Sequence, residues 1–133
     1  MSIYPTAEQM KTLLEGSPDQ PVVMVNLLRF KPRAGAPDEG LSGIEAYQRY
    51  GDEMRKIVES HGGRILFTGR VDSIVIEDGN LGYHAVALVE YPSRKKFVEI
   101  ASSAEVAAIG VHRAAGLESQ WLIATTPGAI DAK

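Results

Sequence analysis

One amide lies in the middle of an apolar segment and is the first candidate for chemistry. Large apolar residues flank Asn26 on both sides within residues 21–30. Burying an amide without hydrogen-bond partners costs a few kcal/mol, so the Asn26 side chain should be hydrogen-bonded. Its partner could be a substrate carbonyl or a neighbouring loop, and the sequence leaves both readings open.

Three arginines, Arg29, Arg64 and Arg113, could hold an anionic ligand. A guanidinium binds a carboxylate through two parallel hydrogen bonds, which suits it to anchoring organic acids. For Arg29, near the end of a predicted strand, we favour a salt bridge at the surface or at a dimer interface. Arg64 and Arg113 could line an anion site or pair with Asp52 and Glu53, and the sequence does not decide between these roles.

Two tyrosines, Tyr47 and Tyr50, lie on adjacent turns of a predicted helix, where side chains three apart are neighbours. A hydroxyl that faces a cavity could orient a phenolic or enol substrate. Packing against a sheet is the commoner use of such rings. Both tyrosines are therefore candidate pocket residues with an alternative structural role.

The three histidines do not have the spacing of a metal site. His84 precedes Glu90 by six residues, about 20 Å along a strand, so the two cannot form a general-base pair. His61 is expected at a helix C-terminus, where the dipole favours it, and His112 lies beside Arg113 on a helix. The chain has no cysteine and no glycine-rich phosphate loop, so we predict no metal and no cofactor.

Composition limits the class of protein. The chain has 133 residues, which fits a single domain, and a net charge of −3, which argues against a duplex nucleic-acid partner. No segment approaches the about 18 apolar residues of a membrane span, and the N-terminus does not read as a signal segment. The lack of cysteine fits a reducing compartment, so we expect a cytoplasmic location.

Hydrophobic periodicity and capping patterns predict the elements that position these residues. Residues 64–76 are predicted as one strand with Ile65, Phe67 and Val71 on one side, followed by a turn at residues 77–80. In chain order we predict a helix over residues 7–15, a strand over 21–30, a loop over 31–40, a helix from the capping box 42–45 to Gly62, strands over 64–76 and 83–91, a helix that begins at 92–93 and restarts at a capping box at 102–105, and a strand over 117–125.

This order predicts an α+β fold of the ferredoxin-like βαββαβ type, preceded by a short extra helix. Residues 1–20 form the N-terminal helix and lead-in, residues 21–126 the core, and residues 127–133 a frayed tail. The sheet should be antiparallel, with the first and third strands central and the helices on one face. Because these two strands are apolar on both sides, the other face would be a large exposed patch, and we expect a homodimer to cover it.

Five segments occur in this order along the chain: Val25-Asn-Leu-Leu-Arg-Phe30, Tyr50-Gly51, Gly62-Gly-Arg64, Val89-Glu-Tyr-Pro-Ser-Arg94 with Phe97, and Arg113-Ala-Ala-Gly-Leu117. Together they resemble the family catalogued as domain of unknown function 1330, over about residues 21–125. That family is similar to the dimeric α/β-barrel superfamily, which includes cofactor-free monooxygenases, muconolactone isomerases, chlorite dismutases and ligand binders. The resemblance implies the fold and the dimer but no reaction. One departure is Val106-Ala-Ala, where the family often carries an aromatic residue.

Three functions fit these observations. The protein could be a cofactor-independent enzyme of the monooxygenase, isomerase or decarboxylase type that acts on a small organic acid or aromatic compound. It could instead be a non-catalytic small-ligand-binding module, or a structural dimer without a pocket. The candidate pocket residues are Asn26, Arg29, Tyr47, Tyr50, Arg64, His84 and Arg113.

Overall fold

A computed structural model of the protein describes residues 2–79, 82–128 and 130. The described elements follow the predicted order, with the last helix in two pieces. No helix among them is long and apolar enough to cross a membrane. The elements are α1 (Ala7–Leu14), β1 (Val22–Phe30), α2 (Gly43–Ser60), β2 (Arg64–Arg70), β3 (Ala85–Tyr91), α3 (Arg94–Ala101), α4 (Ala104–Gly116) and β4 (Leu117–Thr125).

The four strands form one antiparallel sheet in the order β2-β3-β1-β4. Strand β1 lies between β3 and β4, and Asn26 is opposite Ala87 on one side and Leu122 on the other. The first and third strands are therefore central, as predicted. This topology, with its connecting helices, confirms the ferredoxin-like α+β fold.

The two faces of the sheet differ in what covers them. Alternate residues of β1 point toward the helices, and those with apolar side chains are at most 8% exposed. Val22 and Met24 form the main core with residues of α2 and α3 such as Val58 and Ile100. Leu28 and Phe30 form a second cluster with Leu117. The set facing the helices is Val22, Met24, Leu28 and Phe30.

None of the helices that the structure describes covers the opposite face, which we call the open sheet face. Cross-strand pairing gives the residues that share it, because directly opposite residues of an antiparallel pair point to the same side. Trp121 and Phe67 are the most exposed members, at 53% and 54%. The apolar members are Val23, Val25, Leu27, Phe67, Val86, Leu88, Trp121 and Ile123.

Helices α2 and α4 approach each other closely at two glycines. A Cβ atom on Gly116 would lie 2.2 Å from the carbonyl oxygen of Gly43 and 2.9 Å from the backbone nitrogen of Tyr47. Real side chains do not tolerate such distances, so only glycine fits there. The crossing brings Tyr47 next to the C-terminal end of α4, which carries Arg113.

The loop before α2 caps the C-terminus of α4. The backbone nitrogens of Lys31 and Gly35 donate to the carbonyls of Gly116 and Ala115 at 2.8 and 2.9 Å. The Lys31 ammonium donates to the carbonyl of Ala114 at 3.4 Å. These bonds satisfy carbonyls that a helix end leaves unpaired, and the cation complements the negative end of the helix dipole.

The prediction of a strand through residue 76 was wrong. Strand β2 ends at Arg70, which pairs with Ala85, and the last cross-strand bond runs from the Val71 nitrogen to the His84 carbonyl. Residues 74–76 have high strand propensity but no neighbouring strand, and Val75 and Ile76 are 89% and 92% exposed. Of the predicted turn at 77–80, residue 80 lies outside the described residues.

The side-chain alternation predicted for β2 was also wrong. Ile65 is opposite Val89 on the helix-covered side, whereas Phe67 is opposite Leu88 on the open sheet face. Leu66 is the extra residue of a β-bulge, and a bulge reverses the sides of the residues that follow it. No local sequence signal marks the bulge.

Most helix caps agree with the sequence. Both predicted capping boxes, at Thr6 and Ser42, are present, and Ser93 caps α3. The predicted box at residues 102–105 is displaced by one position: Ser103 caps α4 by accepting from the Val106 nitrogen at 3.2 Å. Of the predicted tail, residues 129 and 131–133 lie outside the described part of the chain.

Candidate functional site

A chain of side-chain hydrogen bonds links the sheet to α4 on the helix-covered side. The Asn26 oxygen accepts from Gln120 Nε2 at 2.7 Å, and the Asn26 amide nitrogen donates to the Ala87 and Met24 carbonyls at 3.2 and 3.4 Å. The Gln120 oxygen accepts from Arg113 Nη2 at 2.6 Å. Both amides are thereby oriented, and they fix the position of the guanidinium.

The N-terminal segment completes the surroundings of Arg113. Its Nη2 also donates to the carbonyl oxygen of Ile3, and the Tyr4 ring centroid lies 5.3 Å from its guanidinium carbon. A guanidinium at this distance over a tyrosine ring makes a favourable cation–π contact. All of these partners are neutral, so within the described part of the chain the charge of Arg113 has no opposite charge beside it.

An aromatic cluster lies next to this chain of hydrogen bonds. Tyr47 and Tyr50 come from the inner side of α2, and their ring centroids are 5.4 Å apart. The Phe30 ring, at the end of β1, lies 5.3 Å from that of Tyr47. Tyr91, at the end of β3, packs edge-on against Phe97 at 4.9 Å. The cluster presents several hydroxyls and ring faces between the sheet and the helices.

Burial raises the pKa of the Tyr47, Tyr50 and Tyr91 hydroxyls above the ordinary tyrosine range. Neighbouring tyrosines raise the pKa of Tyr47 and Tyr91 further. The guanidinium of Arg113 lowers the pKa of Tyr47 and Tyr50, but burial is the larger effect. All three hydroxyls therefore stay protonated at neutral pH and can act as hydrogen-bond donors, not as bases.

The hydroxyls of these tyrosines have no hydrogen-bond partner among residues 2–79, 82–128 and 130. Within the same residues, Ser119 Oγ is the unpartnered side-chain atom that is fully enclosed by protein. The tyrosine oxygens are therefore not completely enclosed, and a donor without a partner in such a place is suited to a ligand.

His84 lies beside the cluster but not in it. Its Nδ1 accepts from the Phe30 nitrogen at 3.1 Å, and its ring is stacked on Phe30 at 6.0 Å. An acceptor Nδ1 carries no proton, so the neutral tautomer with the proton on Nε2 is present in this arrangement. The histidine fixes the end of β1 and thereby the Phe30 ring that contacts Tyr47.

Two of the predicted pocket residues lie elsewhere. Arg29 pairs with Glu118 at 2.6 Å, and Arg64 pairs with Glu90 at 2.8 Å. Register places Arg64 on the open sheet face, and the alternation of β1 places Arg29 there as well. The structure thus brings together Asn26, Tyr47, Tyr50 and Arg113, and separates Arg29 and Arg64 from them.

The sequence analysis missed Gln120 and Tyr91. Both are strand residues whose side can be assigned only when the register with β1 is known, and no local pattern gives that register. The weak signal for Gln120 is that it is a second amide in a strand that runs next to Asn26.

A buried carboxylate that the sequence analysis also missed lies between the loop and the helices. The side chain of Asp38 is 2% exposed, and it contacts His112 Nδ1 at 2.6 Å and Arg49 Nη1 at 3.1 Å. The Asp38 contacts thus connect the loop between β1 and α2 to both helices, α2 and α4. Among the described residues, no three histidine or acidic side chains come together in a way that could hold a metal ion.

Two open depressions lie on the surface away from the tyrosines. One runs between α2 and α4 past Lys56, Ile57 and Glu105, and the other lies beside residues 74–79. Neither contains the Asn26–Gln120–Arg113 chain. The polar cluster between sheet and helices is distinguished by its unpaired donors and its cation, and not by the size of a surface groove.

The fold and the polar cluster define a ferredoxin-like α+β protein with a candidate small-molecule site between sheet and helices. Residues 41–126 match the family model described as Domain of unknown function (DUF1330), so the chain belongs to this family, as the resemblance indicated. No curated protein matches the chain.

Solved structures of other proteins share the fold. A protein of unknown function from Rhodopseudomonas palustris is 32% identical with a TM-score of 0.86, over 96% of this chain and 98% of that one. A hydroxynitrile lyase from Passiflora edulis is 12% identical (TM-score 0.62; 86% and 99% covered). SnoaB, a cofactor-independent oxygenase from Streptomyces nogalater, is 10% identical (TM-score 0.54; 86% and 99% covered). The last two likenesses show the fold alone.

Proposed function

We propose that the protein is a homodimer that binds a small organic acid in its anionic form, between the sheet and helices α2 and α4. One observation carries the proposal. The half-buried guanidinium of Arg113 has only neutral partners, and no carboxylate among the described residues pairs with it. A cation that is partly removed from water and lacks a counter-charge attracts an anion more strongly than an exposed one does.

The aromatic cluster supports a ligand with an aromatic or apolar body. The Tyr47 ring centroid lies 5.3 Å from that of Phe30 and 5.4 Å from that of Tyr50, and these rings offer faces for packing. The protonated hydroxyls supply donors for the ligand's oxygen atoms. Asn26 and Gln120 act as positioning residues in this account, because they hold the guanidinium and do not themselves face the ligand.

Cofactor-independent catalysis is the second candidate function. Protonated tyrosines beside a guanidinium resemble the donor sets that stabilise an oxyanion as it forms. Such an enzyme would pass through an enolate, as isomerase, decarboxylase or monooxygenase reactions can. The fold is shared with an oxygenase and a lyase, which is an analogy only. Turnover that is lost in Tyr50→Phe while binding persists would favour this candidate over binding alone.

The proposed dimer forms through the open sheet face. This face is apolar across all four strands, and Trp121 and Phe67 are about half exposed on it. Charged residues of this face, such as Arg64 and Glu90, are already paired within the protomer, so among the described residues a second copy would meet no unpaired charge there. Stable interfaces bury about 1,600 Å² in total, and isologous two-fold pairing is the commonest solution.

The remaining expectations about partners and location stay predictions. A cytoplasmic location was expected from the cysteine-free sequence, and a lack of nucleic-acid partners from the net charge of −3. Neither bears on the ligand site. Both can be checked by fractionation of the native cell and by a nucleic-acid binding assay at low salt.

The ligand proposal is tested by NMR titration of the ¹⁵N-labelled protein with benzoate and with benzamide, its neutral counterpart. We expect saturable shifts with benzoate at the backbone amides near Tyr47, Arg113 and Gln120. Binding of benzamide should be at least about tenfold weaker, because a charge-assisted hydrogen bond is lost. Equal binding of the two compounds, or shifts confined to the depression between α2 and α4, would contradict the proposal.

A further inference from the structure

We infer that residues 2–4 set the specificity of the Arg113 site, so that it prefers an anion with a single charged oxygen, an enolate or a phenolate, over a carboxylate. This inference rests on the proposed function, because it concerns which anion that same site accepts. It assigns a role to the N-terminal segment, which lies outside the residues matched by the family model.

The hydrogens of the guanidinium carry the argument. A guanidinium binds a carboxylate in two parallel bonds along one of two edges, Nε with Nη2 or Nη1 with Nη2, so either edge needs an Nη2 hydrogen. In Arg113, Nη2 donates to the Ile3 carbonyl and to the Gln120 side-chain oxygen. Both of its hydrogens are therefore in use, and both edges are half occupied.

The other nitrogens of Arg113 are available. Neither Nε nor Nη1 donates a hydrogen bond to a protein group within the described ranges. Each can donate one bond to one oxygen without disturbing Ile3 or Gln120. A single charged oxygen can thus bind in the structure as it stands, whereas a carboxylate gains its second bond only by displacing one of them.

The tyrosines match the same kind of ligand. Tyr47 and Tyr50 lie close enough to Arg113 for its charge to lower the pKa of their hydroxyls, yet they remain neutral donors. Hydroxyl donors near a guanidinium suit a single oxyanion, which can accept about three hydrogen bonds. A neutral hydroxyl and a guanidinium would together favour the ionised form of a phenol or enol.

The N-terminal segment is held at few points, and none of residues 2–4 is fully buried. Its Ser2 carbonyl accepts from the Gln120 nitrogen at 3.2 Å, and Ile3 packs against the cluster around Leu28 and Leu117. Tyr4 is 64% exposed. Loss of these contacts would free one Nη2 hydrogen, and with it one bidentate edge of the guanidinium.

The test compares 4-nitrophenolate with 4-nitrobenzoate, which share an aromatic body, at a pH where both are ionised. Dissociation constants are measured for the full chain and for a variant lacking residues 2–4. We expect the ratio of the two constants to shift by about tenfold in favour of 4-nitrobenzoate on deletion, the effect of one added charge-assisted bond. Binding of 4-nitrophenolate should change little.

Two further variants test whether the shift comes from the lost contacts or from shortening the chain. Ile3→Gly keeps the chain length but removes the apolar contact that docks the segment, and it should shift the ratio in the same direction. Thr12→Ala changes an exposed side chain of α1 outside the segment and should leave the ratio unchanged. Circular dichroism and thermal unfolding report whether each variant is folded.

The outcomes separate this inference from the proposed function. If both probes bind with the same ratio in the full chain and in the deletion variant, the role of residues 2–4 is overturned while anion binding stands. If 4-nitrobenzoate already binds the full chain more tightly than 4-nitrophenolate does, the preference is overturned as well. If neither probe binds either form, the anion site itself fails and the inference fails with it.

Discussion

At Asn26, an amide within an apolar strand has every polar atom satisfied, by two backbone carbonyls and by Gln120. Removing one partner from a buried hydrogen bond leaves the other unsatisfied, which costs about 1–3 kcal/mol. We predict that Asn26→Leu lowers the free energy of unfolding by this amount in urea denaturation. Gln48→Leu, which changes an exposed amide on α2, should have an effect within about 0.5 kcal/mol. Equal effects of the two changes would contradict the network.

Asp38 makes a second prediction at the scale of single residues. Its carboxylate is almost fully enclosed between His112 and Arg49. Removing the negative charge of Asp38 leaves the His112 and Arg49 side chains without their charged partner. We expect Asp38→Asn to destabilise the protein by about 1–3 kcal/mol in urea denaturation. The matched control is Asp52→Asn, because Asp52 is 72% exposed in its pair with Arg55 and should contribute less than about 1 kcal/mol. A larger loss of stability in Asp52→Asn than in Asp38→Asn would contradict this prediction.

The sequence could identify some of these residues and not others, for a physical reason. Asn26, Tyr47, Tyr50 and Arg113 stand out because each is a polar or aromatic group on a predicted strand or helix. Partners such as Gln120 depend on strand register and loop path, which are long-range properties. The sequence could not separate Arg64 from the site either, because the bulge of β2 and its pairing with Glu90 are long-range features of the same kind.

At the scale of elements, the crossing of α2 and α4 determines where the tyrosines and Arg113 meet. The crossing requires Gly116, where an added Cβ would strike the Gly43 carbonyl. We predict that Gly116→Ala destabilises the protein by about 1–3 kcal/mol or more in urea denaturation. Gly110→Ala on the same helix meets no atom within 4 Å, so it should be neutral or stabilising by up to about 1 kcal/mol. Equal changes in stability for the two substitutions would contradict the close approach of the helices at Gly116.

Element boundaries show what local sequence can predict. Capping boxes at Thr6 and Ser42 correctly predicted where two helices begin, because a cap is made within four residues. The end of β2 was not predictable in this way. Residues 74–76 have β-branched side chains that favour strands, but a strand also requires a partner, and β3 begins only at Ala85.

At the scale of the whole molecule, the open sheet face makes the prediction of a homodimer testable. Light scattering of the native protein should give twice 14.4 kDa at micromolar concentration. Val25→Asp places a charge at the centre of the face, between Leu88 and Ile123, and should give a monomer or an unfolded chain. Val111→Asp makes the same change at a half-exposed site on α4 and should leave the dimer intact. A native particle of 14.4 kDa would contradict the dimer.

The central claim is that the unpaired charge of Arg113 binds the anionic oxygen of a small organic acid. The most direct measurement is the dissociation constant of 4-nitrophenolate for Arg113→Met compared with the native protein. Arg94→Met is the matched control, because Arg94 is also half-buried on a helix and donates to a neutral carbonyl, that of Leu13. We predict that Arg113→Met weakens binding by about 10- to 100-fold while Arg94→Met leaves it unchanged. Unaltered binding by a folded Arg113→Met variant would contradict the account.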